Sequence, residues 1–186
     1  ILGMGGVQLF RAEVAGPVAD KLTPRIKETA KYLWTIYLGL IIIETIVLYI
    51  EGMLFNIEQM TLFNAICHSM TTIATGGFST FNNSIQGFGS DVVSWTIIIF
   101  MFLGATNFSL HFLFIAKRSF EYFNDTEFKF YVSTILFFFF LTFINISSVS
   151  GYTFQNITAS LFNTMSLLTT TGYTLYDYEV WPPLSQ

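Results

Sequence analysis

Two runs of the chain, SMTTIATGGFST (Ser69 to Thr80) and TMSLLTTTGYTL (Thr164 to Leu175), superpose without a gap when the sequence is slid against itself by 95 positions. Met70 then meets Met165, Thr75 meets Thr170, Gly77 meets Gly172, and aromatic Phe78 meets aromatic Tyr173. The chemistry of the shared pattern, Thr-x-Gly-aromatic, is narrow. Glycine admits backbone conformations that turn successive carbonyls toward one axis at little steric cost. Rings of such carbonyls, with threonine hydroxyls beside them, replace the water shell of a monovalent cation. One copy alone would be read as a turn. Two copies, each directly after a short apolar stretch, imply one site built by repetition. No Lys or Arg lies between residues 51 and 116 or after residue 129, so an anion finds no basic lining at either run.

The elements that position these runs are apolar. Of 186 residues, 53% are hydrophobic and 11% charged, whereas an ordinary soluble domain carries about a quarter charged. The surplus of 22 Phe and 9 Tyr fits a chain whose helices give their outer faces to lipid. Residues 32–50 carry a single charge, Glu44, and have the length of a spanning helix; residues 92–116 and 130–149 carry none and read as a second and a third span. Residues 59–73 and 157–168 are apolar but too short to cross the hydrocarbon, the mark of buried or re-entrant helices. The repeat unit is therefore outer span, short pore helix, Thr/Gly strand, outer loop and second span.

The charges give a sidedness. Arg11, Lys21, Arg25, Lys27 and Lys31 precede the first span, and Lys117, Arg118 and Lys129 lie between the second and third. The positive-inside rule makes both stretches cytoplasmic. Glu51, Glu58, Asp91, Asp177 and Glu179 fall in the remaining connections, which are expected outside. The segment between the first two spans then starts and ends on one side, so its short helix dips in and returns. With no initiator Met and an apolar first residue, the sequence reads as a piece of something longer.

The run GMGGVQLFRAEVAGP (Gly3 to Pro17), the filter-like HSMTTIATGGFST (His68 to Thr80), the stretch NFSLHF (Asn107 to Phe112) and MSLLTTTGYT (Met165 to Thr174) together resemble the bacterial TrkH family of potassium-uptake membrane subunits, in the superfamily that includes KtrB. The resemblance covers essentially the whole chain. It implies an all-α polytopic membrane protein of potassium-channel-like repeats: outer helix, re-entrant pore helix plus extended filter strand, and inner helix. The chain would be a fragment of a four-repeat protein. On this reading residues 1–31 are the cytoplasmic end of a preceding repeat plus a basic linker, and residues 32–116 are a complete repeat with its filter at 74–78. Residues 117–129 form a cytoplasmic loop, and residues 130–186 begin the next repeat, with its filter at 169–173. The family's filter glycine falls on Gly77 and on Gly172. Thr75 with Gly76, and Thr170 with Thr171, would supply potassium-facing carbonyls, and Ala74 and Thr169 would line the inner end. The resemblance further implies uptake of potassium ion across the bacterial inner membrane, a homodimer with one pore per subunit, and a cytoplasmic TrkA-like nucleotide-binding regulator docking near the basic stretch Arg11 to Lys31.

Other residues carry less. Glu44 sits in mid-span, where a carboxylate is costly; it is neutral or snorkelling, or it faces a cavity. His68 and His111, with a single Cys67 and no carboxylate pair nearby, make a poor metal site. His68 reads as a packing or hydrogen-bonding residue beside the filter. An enzyme would need a nucleophile with its base, and the adjacent Cys67 and His68 point about 100° apart on a helix, so no enzymatic activity is expected. The rival is a secondary transporter of another monovalent cation, sodium- or proton-coupled, using the same half-helix sites. Such carriers commonly invert their repeats, whereas both repeats here start on the cytoplasmic side.

Overall fold

The computed structural model describes residues 26–176 and Trp181. The run Gly3 to Pro17, the basic residues Arg11, Lys21 and Arg25, and the acidic Asp177 and Glu179 lie outside the described residues. The first helix, α1, runs over Ile26–Leu54. Its 29 residues, at 1.5 Å each, give about 43 Å, longer than the roughly 30 Å hydrocarbon layer. It therefore extends at both ends beyond the expected 32–50, because charged Glu28 and Glu51 continue the helix where lipid has stopped.

The two short helices share one start signal. In α2, Leu62–Ile73, the Thr61 hydroxyl accepts the Asn64 N–H, and the Asn64 side-chain amide donates to the Gln59 carbonyl at 2.7 Å. The later short helix, Phe154–Leu168, repeats this, with Thr153 accepting from Asn156 N–H and the Asn156 amide donating to the Gly151 carbonyl at 2.6 Å. Such caps satisfy amide groups that the first turn leaves without a partner. The caps are 92 residues apart and the filter runs 95, so the second pore helix is three residues longer, 15 against 12. It begins before the expected residue 157, and the first begins after the expected residue 59.

The second span departs from expectation. Where one helix over residues 92–116 was expected, the structure has α3, Asp91–Ala105, and α4, Phe108–Lys117, meeting at 93°. Thr106 and Asn107 cause the break. The Thr106 hydroxyl donates to the Phe102 carbonyl at 2.7 Å, and the Asn107 side chain accepts the Ser109 N–H, starting a new helix. His111 then holds the bend, with Nε2 3.0 Å from the Leu103 carbonyl and Nδ1 2.8 Å from the Tyr122 hydroxyl. Beyond it, the Ser119 hydroxyl and the Asn124 amide hydrogen-bond Glu121 and hold its carboxyl below the usual range. The helix α5, Thr126–Ser150, starts on an Asp125 cap, and the second short helix is α6. Two described helices, α1 and α5, are long and apolar enough to cross a membrane, or three spans if the bent pair counts as one.

Packing joins the repeats. The short helix α2 lies against α1 and α3, and α3 also packs on α6, so the inner helix of one repeat braces the pore helix of the next. Trp95 Nε1 donates across that seam to Thr158 Oγ1 at 3.2 Å. The core under it comprises Leu48, Met60, Ala65, Ile85, Val93, Ile97, Met101, Phe162, Met165 and Tyr173. Gly104 lets α3 approach the end of α2, since a Cβ there would stand 3.0 Å from the Ile73 carbonyl oxygen. Ile42, Ile43, Ile46 and Met53 on α1, and Phe137, Phe138 and Phe140 on α5, are exposed. These apolar faces are uncovered among the described residues.

Candidate ion-selectivity site

Each pore helix ends in an αR residue, Ala74 or Thr169, and runs into an irregular, non-helical segment, the filter strand. In the first strand Thr75 has φ 50° and Gly77 φ 65°; in the second Thr170 has φ 59° and Gly172 φ 78°. Gly76 and Thr171 between them do not share the positive φ. Reversing the sign of φ at alternate residues brings to one side carbonyls that an ordinary strand points alternately left and right. Positive φ at two β-branched residues is a strained arrangement, of order 1–3 kcal/mol each, that persists only where surroundings impose it.

The surroundings do so through the amides. Gly76 N–H donates to the Thr71 carbonyl at 2.8 Å, and Gly172 N–H to the Ser166 carbonyl at 3.1 Å. Thr75 N–H and Thr170 N–H return to Thr72 and Leu167 in the same way. The carbonyls of Thr75, Gly76, Thr170 and Thr171 accept no hydrogen bond among the described residues. The Thr75, Gly76, Thr170 and Gly172 donors are thus spent on the helix while the four named acceptors are left free, which is the polarity a bound cation needs. Both helix C-termini point at the strands, so their dipoles add a modest attraction for a cation.

Repeat-equivalent hydroxyls pin the outer end. Thr71 Oγ1 donates to the Phe78 carbonyl at 2.9 Å, and Ser166 Oγ donates to the Tyr173 carbonyl at 2.7 Å. His68 adds a tie: a carbonyl can only accept, so Nδ1, 2.8 Å from the Asn64 carbonyl, carries the proton, and Nε2 accepts from Ser79 Oγ at 2.9 Å. Its ring lies edge-on to Phe88 and stacks against Tyr173, in the packing and hydrogen-bonding role expected. The outer loop of the first repeat clasps the second strand, with Ile85 N–H on the Thr174 carbonyl and Thr174 N–H on Ser84 Oγ. At this mouth, burial and then the nearby Asp91 charge raise the Tyr176 phenol above its ordinary pKa.

Among the residues singled out in the sequence, the structure brings Gly77 of the first strand against Thr171 of the second. The strands touch where Gly77 meets Thr171: a Cβ on Gly77 would collide with the Thr171 carbonyl oxygen. Gly172 has nothing within 4 Å of the same position. The Thr169 hydroxyl turns away from the strand axis, onto the Met165 carbonyl and the Thr171 hydroxyl, leaving its carbonyl as the group that can line the inner end. Ala74 is exposed there. The two aromatic positions diverge: Tyr173 is 1% exposed against α2, whereas Phe78 is 77% exposed. The buttressing hydroxyls of Thr71 and Ser166 were not singled out from sequence, although the 95-residue register places one over the other.

Membrane-length helices with re-entrant half-helices that deliver strained Thr/Gly strands define a pore-loop membrane protein. The chain belongs to the TrkH family: the family profile described as "TrkH: Cation transport protein" matches residues 1–186. It is 39% identical to the Trk system potassium uptake protein TrkH of Vibrio parahaemolyticus, over 98% of this chain and 37% of that protein. Identity to the TrkH of Escherichia coli K12 is also 39%, with 98% and 37% covered, and to the TrkG of the same strain 34%, with 98% and 37% covered. The crystal structure of the potassium transporter TrkH from Vibrio parahaemolyticus superposes with TM-score 0.75 at 36% identity, covering 86% of this chain and 34% of that one. The chain thus spans a little over a third of the length of these relatives.

Proposed function

We propose that the chain supplies two adjacent quarters of a potassium-uptake pore in the bacterial inner membrane. Potassium, the transported ion, is held by the carbonyls of Thr75, Gly76, Thr170 and Thr171, with Gly77 and Gly172 giving the backbone its shape and the Ala74 and Thr169 carbonyls at the inner end. The observation that carries this reading is the repeated division of labour in the strands, where the N–H groups of Thr75, Gly76, Gly77, Thr170 and Gly172 return to the pore helix and the named carbonyls accept nothing among the described residues. Two strands do not close a ring. The exposure of Phe78, where its counterpart Tyr173 is buried on a neighbouring pore helix, supports a further repeat beside the first strand. The open space at Gly172 supports another beside the second. By relationship to Trk systems, the complete transporter pairs with a second copy of itself and with a cytoplasmic TrkA-like nucleotide-binding regulator.

The test is rubidium uptake by cells that lack their own potassium-uptake systems and carry the complete transporter. Potassium should compete strongly, sodium weakly, and replacing chloride by a larger anion should change nothing. Equal competition by sodium would remove the selectivity-filter reading.

A further inference from the structure

The buried stripe of α1 runs Ile41, Glu44, Leu48, Gly52, spaced three or four residues apart as one helix face requires. A carboxyl therefore occupies a place that helical packing reserves for apolar side chains. Glu44 is 0% exposed, and neither of its oxygens makes a hydrogen bond among the described residues. No Lys or Arg occurs between residues 32 and 116 to neutralise it. What faces it is the Thr72 hydroxyl on the pore helix and, behind that, the Tyr173 phenol of the second strand. One residue on, the Thr45 and Ser69 hydroxyls meet at 2.6 Å and fix the register of α1 on α2.

Counting hydrogens gives these hydroxyls a direction. Each has one proton to donate. Thr71 Oγ1 gives its proton to a carbonyl, with that of Phe78 at 2.9 Å and those of Cys67 and His68 in its own helix at 3.0 and 3.2 Å, as its repeat partner Ser166 gives its own to Tyr173. Tyr173 therefore donates to Thr71 Oγ1, 2.5 Å away, in preference to the His68 carbonyl at 3.3 Å. The phenol oxygen is then free to accept from Thr72 Oγ1, 3.4 Å away, which spends the Thr72 proton. Thr72, fully buried, is left as an acceptor facing Glu44. An ionised Glu44 could only accept; it would turn the Thr72 proton toward itself and strip Tyr173 of its donor. An unpaired carboxylate at zero exposure is also costly in its own right.

We propose that Glu44 is a positioning residue of the filter, held as the neutral acid, whose O–H closes onto the Thr72 hydroxyl facing it and so heads a directed chain of hydrogen bonds through Thr72, Tyr173 and Thr71 to the Phe78 carbonyl. The chain crosses from the outer helix of one repeat to the strand of the next and back, and it sets the spacing of both strands. This rests on the filter reading above for its consequence, but not for its chemistry.

The experiment uses the complete transporter in membranes. The infrared difference spectrum between wild type and Glu44→Gln should contain the carbonyl stretch of a protonated carboxylic acid; carboxylate bands alone would overturn the assignment. Rubidium preference over sodium, normalised to membrane protein, should stay within about twofold in Glu44→Gln, whose amide still donates, and fall about fivefold in Glu44→Leu, the factor a lost hydrogen bond carries. Thr72→Val should fall alike, and it decides the matter should the leucine variant fail to reach the membrane. An unchanged preference in Thr72→Val, or in a well-inserted Glu44→Leu, would overturn the positioning role. A wild type without rubidium preference would count against the filter reading alone, since the infrared band reads the acid independently.

Discussion

Replacing Gly77 by alanine tests the contact between the two strands at its tightest point. The residue sits at φ +65°, where a side chain costs about 1–2 kcal/mol. The added methyl would also run into the Thr171 carbonyl oxygen and stand 2.8 Å from its carbonyl carbon. Overpacking of that kind costs about 1–3 kcal/mol, so the two together amount to about 2–5 kcal/mol. Relief by moving the Thr171 carbonyl is the cheapest escape, and that carbonyl is one of the four assigned to the ion. With a tenfold change for each 1.4 kcal/mol or so, rubidium preference over sodium should fall at least about tenfold. Gly39→Ala is the control, because a Cβ there meets nothing within 4 Å and a helical glycine gains about 0.5–1 kcal/mol on becoming alanine. Gly87 would not serve, although it lies in the outer loop, because its Cβ would stand 2.7 Å from Phe81 Cγ. The assay is rubidium uptake with sodium competition in the complete transporter, normalised to membrane protein. A Gly77→Ala transporter that discriminates like Gly39→Ala would refute the strand contact and with it the shared ion site.

Two further outcomes follow from the same geometry. Thr170→Ser should keep most uptake because the carbonyl survives, whereas Thr170→Pro should abolish it with insertion intact: proline fixes φ near −65° where the strand needs +59°, and it deletes the N–H that donates to Leu167. In a Cys67→Ser background, Asp91→Cys should react with an impermeant thiol reagent only from outside and Arg118→Cys only from the cytoplasm; labelling of both from one side would sink the dipping path of α2.

The repeat, the three apolar segments and the Thr/Gly strands were legible because each has a pattern of its own: a fixed register, a hydropathy run, a residue pair that few other structures need. The bend at Thr106 and Asn107 was not, because a hydropathy window averages two polar side chains into 23 apolar or neutral neighbours; the signal was there in an Asn followed two residues on by the Ser109 amide it caps. Helix ends were misplaced for a related reason. Apolar runs mark where lipid lies, whereas the pore helices begin at Thr-x-x-Asn caps that a search for hydrophobic runs passes over. The burial of Glu44 lies between these cases. Its place in the Ile41–Leu48 stripe can be read from spacing, but α1 is apolar all round, and only the neighbours that the tertiary fold supplies decide which face is hidden.

The anchoring of Tyr173 on α2 has a consequence for how a pore of this kind goes together. The tyrosine belongs to the later strand and fastens to the earlier pore helix, so this joint has a giver and a receiver. Quarters linked in this manner can be stacked in only one rotational sense about the axis, and a chain emerging from the ribosome presents each receiver before its giver is made. An error in α2 is therefore inherited by the strand that follows it, while an error in the tyrosine leaves the earlier helix intact.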